Sequence, residues 1–319
     1  MAVCHMSEIF HQHVPVLLRE AVENLIVSPD GVYVDATFGR GSHSRAILDR
    51  LSASGRLIAF DKDPEAVAYA KQYFSHDKRF SIFHSSFARL EMCLSGIDVF
   101  GKVQGILFDL GVSSPQLDNP ERGFSFAKSG KLDMRMNTTQ GTDAMSWLAT
   151  VDEKTLADVL WKYGEEKFSR RIARAIVAAR NEAPITTTTQ LAEIITHAMP
   201  GFKKPGEKHP ATRSFQAIRI FINEELTEIE EGLAQALEAL MVGGRLAVIS
   251  FHSLEDRIVK EFIRAHEKGP ELPRGLPIKG DQFNSRLKSR GKPIKPSSQE
   301  VNVNPRARSA ILRIAEKLS

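Results

Sequence analysis

Short apolar runs alternate with amphipathic segments over the first third of the chain. The runs, rich in β-branched and aromatic residues, predict buried strands at 31–38, 56–61, 79–87 and 103–110. Residues 42–53 and the segment that begins at Pro64 predict the intervening helices. Strands and helices in alternation predict an α/β fold with a parallel sheet and right-handed crossovers.

This alternation stops near Asp118, and helical periodicity replaces it. We therefore predict an α/β domain made of 1–118 and 210–319, interrupted by an all-α domain at 119–209. After a linker-like stretch, a single long helix is expected from Thr212 to Met241, ended by Gly243-Gly244. Two further strands are predicted, at 245–251 and 308–317.

Composition narrows the class of protein. The chain has 319 residues, of which 42% are hydrophobic and 26% charged, and this excludes a disordered chain. Two cysteines exclude a disulfide framework and a multi-cysteine zinc site, and we predict no metal. No apolar run approaches the roughly 18 residues of a membrane span, and the first residues lack a signal-peptide pattern. We expect a cytoplasmic protein with no membrane partner.

The net charge of +4 is mild, but its distribution is uneven. Lys268 to Lys295 contains eight basic and two acidic residues, a local charge of +6. Such a segment attracts a polyanion if it is exposed; the alternative is a solvated loop.

A glycine-rich turn follows the first predicted strand. Asp35 ends the strand, and Gly39 and Gly41 precede a helix, which lets the backbone approach a ligand. A dinucleotide fingerprint requires a third glycine where this chain has Ser44. The pattern favours a ligand without a pyrophosphate, such as S-adenosylmethionine, over a nicotinamide cofactor. The alternative is an ordinary tight turn.

Two more carboxylates end predicted strands. Asp61, about twenty residues after the glycines, is placed to accept the ribose hydroxyls of an adenosine. We expect Asp63 to cap the following helix, which leaves Asp61 free. Asp109 ends the fourth strand, and ligands of open α/β sheets bind at such carboxyl ends. Phe87 is placed either to pack on an adenine or to fill the core.

The motifs together identify a family. The sequence resembles the bacterial 16S rRNA cytosine-N4 methyltransferases (RsmH/MraW) along almost its whole length, in segments that include HVPVLLRE (13–20), DATFGRGSHS (35–44), AFDKDPEA (59–66), LFDLGVSSPQLD (107–118), HPATRSFQAIRI (209–220) and GGRLAVISFHSLEDRIVK (243–260). The resemblance implies a class I S-adenosylmethionine-dependent methyltransferase sheet (Rossmann-like) with an inserted all-α domain. It also implies methyl transfer to the N4 amine of a cytosine in the decoding region of 16S rRNA, within the small ribosomal subunit.

The resemblance also assigns residues to the cofactor. They are Asp35, Gly39, Gly41, Ser42, His43, Asp61, Phe87, Asp109 and Gln116. The family usually has Gly-Gly-His where this chain has Gly41-Ser42-His43. A serine at 42 loses the freedom of positive φ but keeps its backbone N–H, so we expect a contact there that is shifted rather than lost.

In the implied reaction the nucleophile is the exocyclic N4 amine of cytosine, and an acceptor for its N–H would help to localise its lone pair. Enzymes that methylate such amines often carry an Asn/Asp/Ser-Pro-Pro-aromatic tetrad, which Ser114-Pro115-Gln116-Leu117 matches only in part. Asp109, Ser113 and Ser114 are candidate acceptors. His252 is a second catalytic candidate because histidine titrates near neutral pH; its alternative is a structural histidine bonded to the backbone.

Other residues are candidates for contacting RNA. Phe124 and Phe126 are placed to stack an extruded cytosine, or else to anchor the helical insertion. The predicted basic and polar contacts are Arg170, Arg171, Arg174, His209 and Arg213, with Lys203, Lys204 and Lys208 as further possibilities. Asp133 and His209 are outside candidates for the catalytic step. The alternative for the arginines is a solvated helix face paired with Glu165 and Glu166.

Three other functions compete with the methyltransferase. A nicotinamide-dependent oxidoreductase is disfavoured by Ser44, and a non-catalytic RNA-binding or assembly factor by the three intact carboxylates. A protein or small-molecule methyltransferase is separated only by a substrate assay. The sequence leaves a monomer and a homodimer equally open.

Overall fold

The computed structural model describes residues 15–200, 209–268 and 284–319. The chain forms two compact units. The α/β unit is built from Met1–Gly111 and Leu226–Ser319, and the helical unit from Val112–Glu225.

A single sheet organises the α/β unit. Its strands are β1 (Val32–Asp35), β2 (Arg56–Asp61), β3 (Phe80–His84), β4 (Val103–Asp109), β5 (Leu240–Ser250), β6 (Leu287–Ser289) and β7 (Ile311–Lys317). In the described residues they lie in the order β3-β2-β1-β4-β5-β7-β6. Neighbouring strands among β1 to β5 pair in parallel, as predicted.

The prediction of a parallel sheet is wrong at one edge. β7 runs antiparallel to both β5 and β6. Ile311, at the start of β7, pairs with Ser250, at the end of β5, so β7 runs back along its neighbour. β6, which the sequence analysis missed, is only three residues long.

The helices in chain order are α1 (Leu18–Leu25), α2 (Ser42–Leu48), α3 (Pro64–Phe74), α4 (Leu90–Ser95), α5 (Ser114–Asp118), α6 (Ala144–Thr150), α7 (Glu153–Gly164), α8 (Ser169–Glu182), α9 (Thr188–Ala198), α10 (Thr212–Ile222), α11 (Glu225–Ala239), α12 (Ser253–Lys268) and α13 (Ser298–Val303). Sequence analysis missed α1 and the short helices α4, α5 and α13. In the described parts of the chain, no helix is long and apolar enough to cross a bilayer.

Alternating strand residues supply two apolar layers, one on each face of the sheet. Ile58, Phe60 and Phe108 pack on one face with residues of α4, α11 and α12. Leu57 and Leu107 pack on the other with residues of α1, α2 and α3. With both faces covered, the polar ends of the strands become the place where chemistry can be arranged.

The helical unit has its own core, and it extends beyond the predicted insertion at 119–209. Phe215 and Ile218 of α10 are buried in that core with Leu160 and Ile176, so α10 belongs to the helical unit. The single helix predicted from Thr212 to Met241 is wrong, because the chain breaks at Glu224, which has a φ of 52°. α11 then ends at Ala239, ahead of the two glycines that were expected to end it.

Candidate active site

Three aspartates end three adjacent strands. Asp35 ends β1, Asp61 ends β2 and Asp109 ends β4, and β1 lies between the other two. Because parallel strands finish at the same side of a sheet, their side chains line one border. We call these three residues the carboxylate edge.

Asp35 is fully buried and is held by its own turn. Ser44 Oγ donates to its Oδ2 at 2.6 Å, and the Thr37 N–H donates to its Oδ1 at 3.2 Å. Burial raises the pKa of Asp35 to about 6, against the opposing effect of these hydrogen bonds. Ser44, where a dinucleotide fingerprint has glycine, thus orients a carboxylate.

Asp61 links the glycine turn to α3. Its Oδ2 accepts the Gly39 N–H and its Oδ1 the Asp63 N–H, both at 2.8 Å. Asp61 is thus free of the capping role, as predicted, but two backbone donors anchor its carboxylate, and each oxygen retains a lone pair for a further donor. The predicted capping role of Asp63 is confirmed, because its Oδ1 accepts the Glu65 N–H at 2.9 Å. Burial raises the pKa of Asp61 to about 6.

The glycine turn requires glycine at two positions. Gly39 and Gly41 have φ values of 55° and 74°, and a Cβ on Gly41 would lie 2.5 Å from Phe74 Cζ. Ser42 is the first residue of α2 and does not have positive φ. The usual glycine at 42 is therefore dispensable for the backbone here.

Asp109 has the least satisfied carboxylate of the edge. Its Oδ2 lies 3.5 Å from Nδ1 of His43, and no hydrogen bond from the described residues reaches its buried Oδ1. Burial, with the nearby charges of Asp35 and Glu255, raises the pKa of Asp109 to about 8. Burial lowers the pKa of His43 to about 4, so its ring is neutral and does not compensate Asp109.

The residue that sequence reasoning missed is Glu255, a fully buried acid in the first turn of α12. Its Oε2 accepts the backbone N–H groups of Phe251 and His252, at 2.7 and 3.2 Å. The signal was present, because an acid three residues after a helix cap is typical of helix starts.

This glutamate also contacts His252. Nε2 of His252 lies 3.0 Å from Oε1 of Glu255, while its Nδ1 faces the Glu255 N–H at 3.5 Å. The Nδ1 contact is a hydrogen bond from the backbone, whereas the contact of Nε2 with Oε1 lacks hydrogen-bond geometry. The structure favours the structural alternative for His252, which directly precedes α12.

Phe87 packs inside the α/β unit. Its ring meets Phe108 edge-on at 5.3 Å, and a Cβ on Gly232 of α11 would lie 2.6 Å from it. Core packing is therefore observed, and its contact with an adenine stays a prediction.

Ser114 and Gln116 lie in α5, which belongs to the helical unit. Gln116 is buried, and its Oε1 accepts the Ser113 N–H at 2.9 Å. Their catalytic and cofactor roles stay predictions.

Phe124, Phe126 and Asp133, three candidates from the sequence that lie in the helical unit, have different surroundings. Phe126 forms an aromatic cluster with His209 and Phe215, with both ring distances at 4.7 Å. Phe124 is buried, so its ring is not presented to a base. Asp133 is buried and holds Arg135 through two hydrogen bonds of 2.8 and 2.9 Å, which is a structural role.

The three arginines of α8 that were predicted to contact RNA are exposed. Arg174 Nε lies 3.7 Å from Glu153 Oε1, so it does not use the predicted partners Glu165 and Glu166. Arg170 and Arg171 have no ion pair among the described residues. Arg213 is exposed as well and reaches the Glu165 carbonyl at 3.4 Å. Lys203, Lys204 and Lys208 lie outside the described residues, as do two of the eight basic residues of the stretch from Lys268. Of the other six, Arg286 pairs with Glu238 at 2.8 Å and Arg290 Nε lies 3.5 Å from Glu316.

The sheet order, with antiparallel β7 between β5 and β6, and the glycine turn beside the carboxylate edge define a class I S-adenosylmethionine-dependent methyltransferase. Residues 10–318 match the MraW methylase family, and the chain belongs to it. The family expected from the motifs is thereby confirmed.

Named relatives share more than half of their residues with this chain. Ribosomal RNA small subunit methyltransferase H of Pseudoalteromonas atlantica is 58% identical over 308 residues, 96% of this chain and 98% of that protein. The protein of the same name from Legionella pneumophila is 56% identical over 308 residues, 97% and 99% of the two chains. A crystal structure of a putative rRNA-methylase from Clostridium thermocellum is similar at 13% identity and a TM-score of 0.45, over 96% of this chain and 98% of that one.

Proposed function

We propose that this protein transfers a methyl group from S-adenosylmethionine to the N4 amine of a cytosine in the 16S rRNA of the small ribosomal subunit. The observation that carries the proposal is the open acceptor on Asp109, at the carboxylate edge of a methylase. A buried oxygen without a donor is unfavourable in the free protein, and it suits a substrate that brings an N–H.

The carboxylate edge and the glycine turn beside it have the groups needed to bind S-adenosylmethionine. Asp61 is fixed by two backbone donors and retains acceptor capacity for ribose hydroxyls, and Gly39 and Gly41 let the main chain approach a ligand. When bound, S-adenosylmethionine supplies the methyl group on a positively charged sulfur. Carboxylates with raised pKa values are stabilised when a cation joins them, so Asp35 and Asp109 favour this ligand over a neutral one.

The proposed role of Asp109 is to accept the N–H of the amine. Localising the lone pair on N4 lets nitrogen form its bond to the methyl carbon as the carbon–sulfur bond breaks and its electron pair remains on sulfur. The proton that N4 loses passes to the Asp109 carboxylate and then to solvent. A pKa of about 8 makes Asp109 a stronger proton acceptor than an ordinary aspartate.

The helical unit is the proposed RNA-recognition module. Arg170 and Arg171 are exposed, and in the described residues they have no ion pair, so phosphates can bind them without displacing a carboxylate. The relatives' names specify small-subunit rRNA, and we carry that substrate over to this chain. The expected place of action is the cytoplasm.

The test uses small ribosomal subunits that lack decoding-site methylation, with methyl-labelled S-adenosylmethionine and mass spectrometry of the digested nucleosides. N4-methylcytidine, formed by the native protein and the surface control Asp98→Asn but not by Asp109→Asn, is the expected result. Label in protein or in small molecules, with none in RNA, would contradict the proposal and favour the rival class of acceptor.

A further inference from the structure

A row of arginine and aromatic side chains lies beside the glycine turn. The Arg40 guanidinium carbon is 4.9 Å from the centre of the Tyr69 ring, and that of Arg45 is 4.3 Å from the centre of Phe74. The rings of Tyr69 and Tyr73 are 4.5 Å apart. We call Arg40, Arg45, Tyr69 and Tyr73 the arginine–tyrosine row.

The charges in this row are not neutralised. Among the residues that the structure describes, neither arginine has a carboxylate within 4 Å. Arg45 donates to the Tyr73 carbonyl at 3.4 Å, whereas no hydrogen bond from a described residue engages the Arg40 guanidinium. A guanidinium with one face on an aromatic ring keeps its N–H groups available in the ring plane, in the fork that matches phosphate.

The backbone fixes Arg40 at the carboxylate edge. Gly39 donates its N–H to Asp61 at 2.8 Å, and Gly41 donates its N–H to the Phe38 carbonyl at 2.7 Å. The residue between two such anchored glycines cannot move away from the turn. A methyl acceptor that reaches the edge therefore comes close to Arg40.

We propose that Arg40, supported by Tyr69, binds a backbone phosphate of the substrate RNA next to the target nucleotide. This inference rests on the proposed function. The row favours a polymer over the carboxylate of the cofactor, because Tyr73 lies one turn, or about 6 Å, beyond Tyr69 along α3 and Arg45 of α2 donates to the Tyr73 carbonyl. Half-buried aromatic rings between unpaired cations are typical of single-stranded RNA sites.

The test compares Arg40→Gln, Arg40→Lys and Tyr69→Leu with the native protein on the undermethylated subunits. Arg56→Gln is the matched control, because it removes an exposed arginine at the opposite, amino end of β2. Each variant is measured for its KM for RNA at several salt concentrations and for its Kd for S-adenosylmethionine.

For Arg40→Gln we expect the KM for RNA to rise about 5- to 10-fold and the slope of log KM against log salt to fall by about 0.7. Tyr69→Leu should produce part of this rise and Arg40→Lys should retain the salt slope, while the cofactor Kd stays unchanged in all of them. An unchanged KM for RNA in Arg40→Gln would overturn the proposal. A higher Kd for S-adenosylmethionine, with an unchanged KM for RNA and an unchanged salt slope, would also overturn it and would assign Arg40 to the cofactor. Absence of RNA methylation by the native protein would instead refute the proposed function.

Discussion

Buried aspartates differ between the two units in whether a cation pairs with them. In the helical unit, buried Asp133 has Arg135, whose hydrogen bonds hold the pKa of Asp133 below its usual value although burial opposes them. In the α/β unit, burial instead raises the pKa values of Asp35, Asp61 and Asp109, because no cation of the described residues pairs with them there.

This difference indicates that the α/β unit carries out the chemistry and that the helical unit serves in recognition. An unpaired buried carboxylate destabilises the free protein and is useful only if a ligand compensates it, as at catalytic sites. In the helical unit, buried Asp133 is paired with Arg135 and buried Glu225 with Arg219, and Arg170 and Arg171 are exposed to solvent. Removing a charge should therefore have opposite consequences for stability in the two units.

The largest effect is expected from Asp109→Asn. Methyl transfer should fall at least about 100-fold, because the proton acceptor is lost. The raised pKa means that the folded state keeps a proton that the unfolded state loses above about pH 4, so the Asp109 carboxyl lowers stability increasingly as pH rises from about 4 to about 8. The melting temperature of the free variant should thus exceed that of the native protein at pH 8 and match it near pH 4. A less stable variant at pH 8 would contradict this account of the edge.

Asp61→Ala tests the cofactor side of the edge. We expect the Kd for S-adenosylmethionine, measured by calorimetry, to rise roughly 10–150-fold because a charged acceptor of hydrogen bonds is removed. Asp98→Ala, on an exposed loop of the same unit, is the control. An unchanged affinity would remove Asp61 from the site.

Arg135→Ala tests the helical side of the comparison. It leaves Asp133 buried without its two strongest hydrogen bonds, so the free energy of unfolding should fall by about 1–3 kcal/mol. Urea denaturation followed by circular dichroism measures the change. A more stable variant would mean that the pairing of Asp133 with Arg135 does not stabilise the helical unit, and the contrast between the two units would be lost.

Substitution of the exposed arginines should have the smallest effect. Arg170→Gln and Arg171→Gln should each weaken RNA binding about 3-fold, with a salt slope lower by about 0.7, and leave the cofactor Kd unaltered. Lys154→Gln, which removes an exposed cation paired with Asp158, is the control. Equal losses in the control would show that the effect is one of net charge alone.

The periodicity of the sequence predicted most of this fold, because both the strands and the inserted helices bury regular apolar faces. It failed where tertiary context decides. Glu224 breaks an apparently continuous helix through one positive φ, and β7 reverses the edge of the sheet without any change in hydrophobic pattern.

At the site, the aspartates could be found from their positions after strands, and Ser44 from the missing glycine. The position of Glu255 was signalled by its place in the first turn of a helix, but its complete burial arises only in the folded chain, and so does the ring contact of Arg40. Arg40 is also separated in sequence from the aromatic residue that supports it, Tyr69.

The most direct test of the central claim is the pH dependence of methyl transfer at subsaturating concentrations of both substrates, which reports the free protein. Because only ionised Asp109 accepts the N–H, the rate should rise about tenfold per pH unit below about 8 and level off above it. A rate that is flat between pH 6 and 9, or that falls as pH rises through 8, would contradict the assignment of Asp109 as the acceptor.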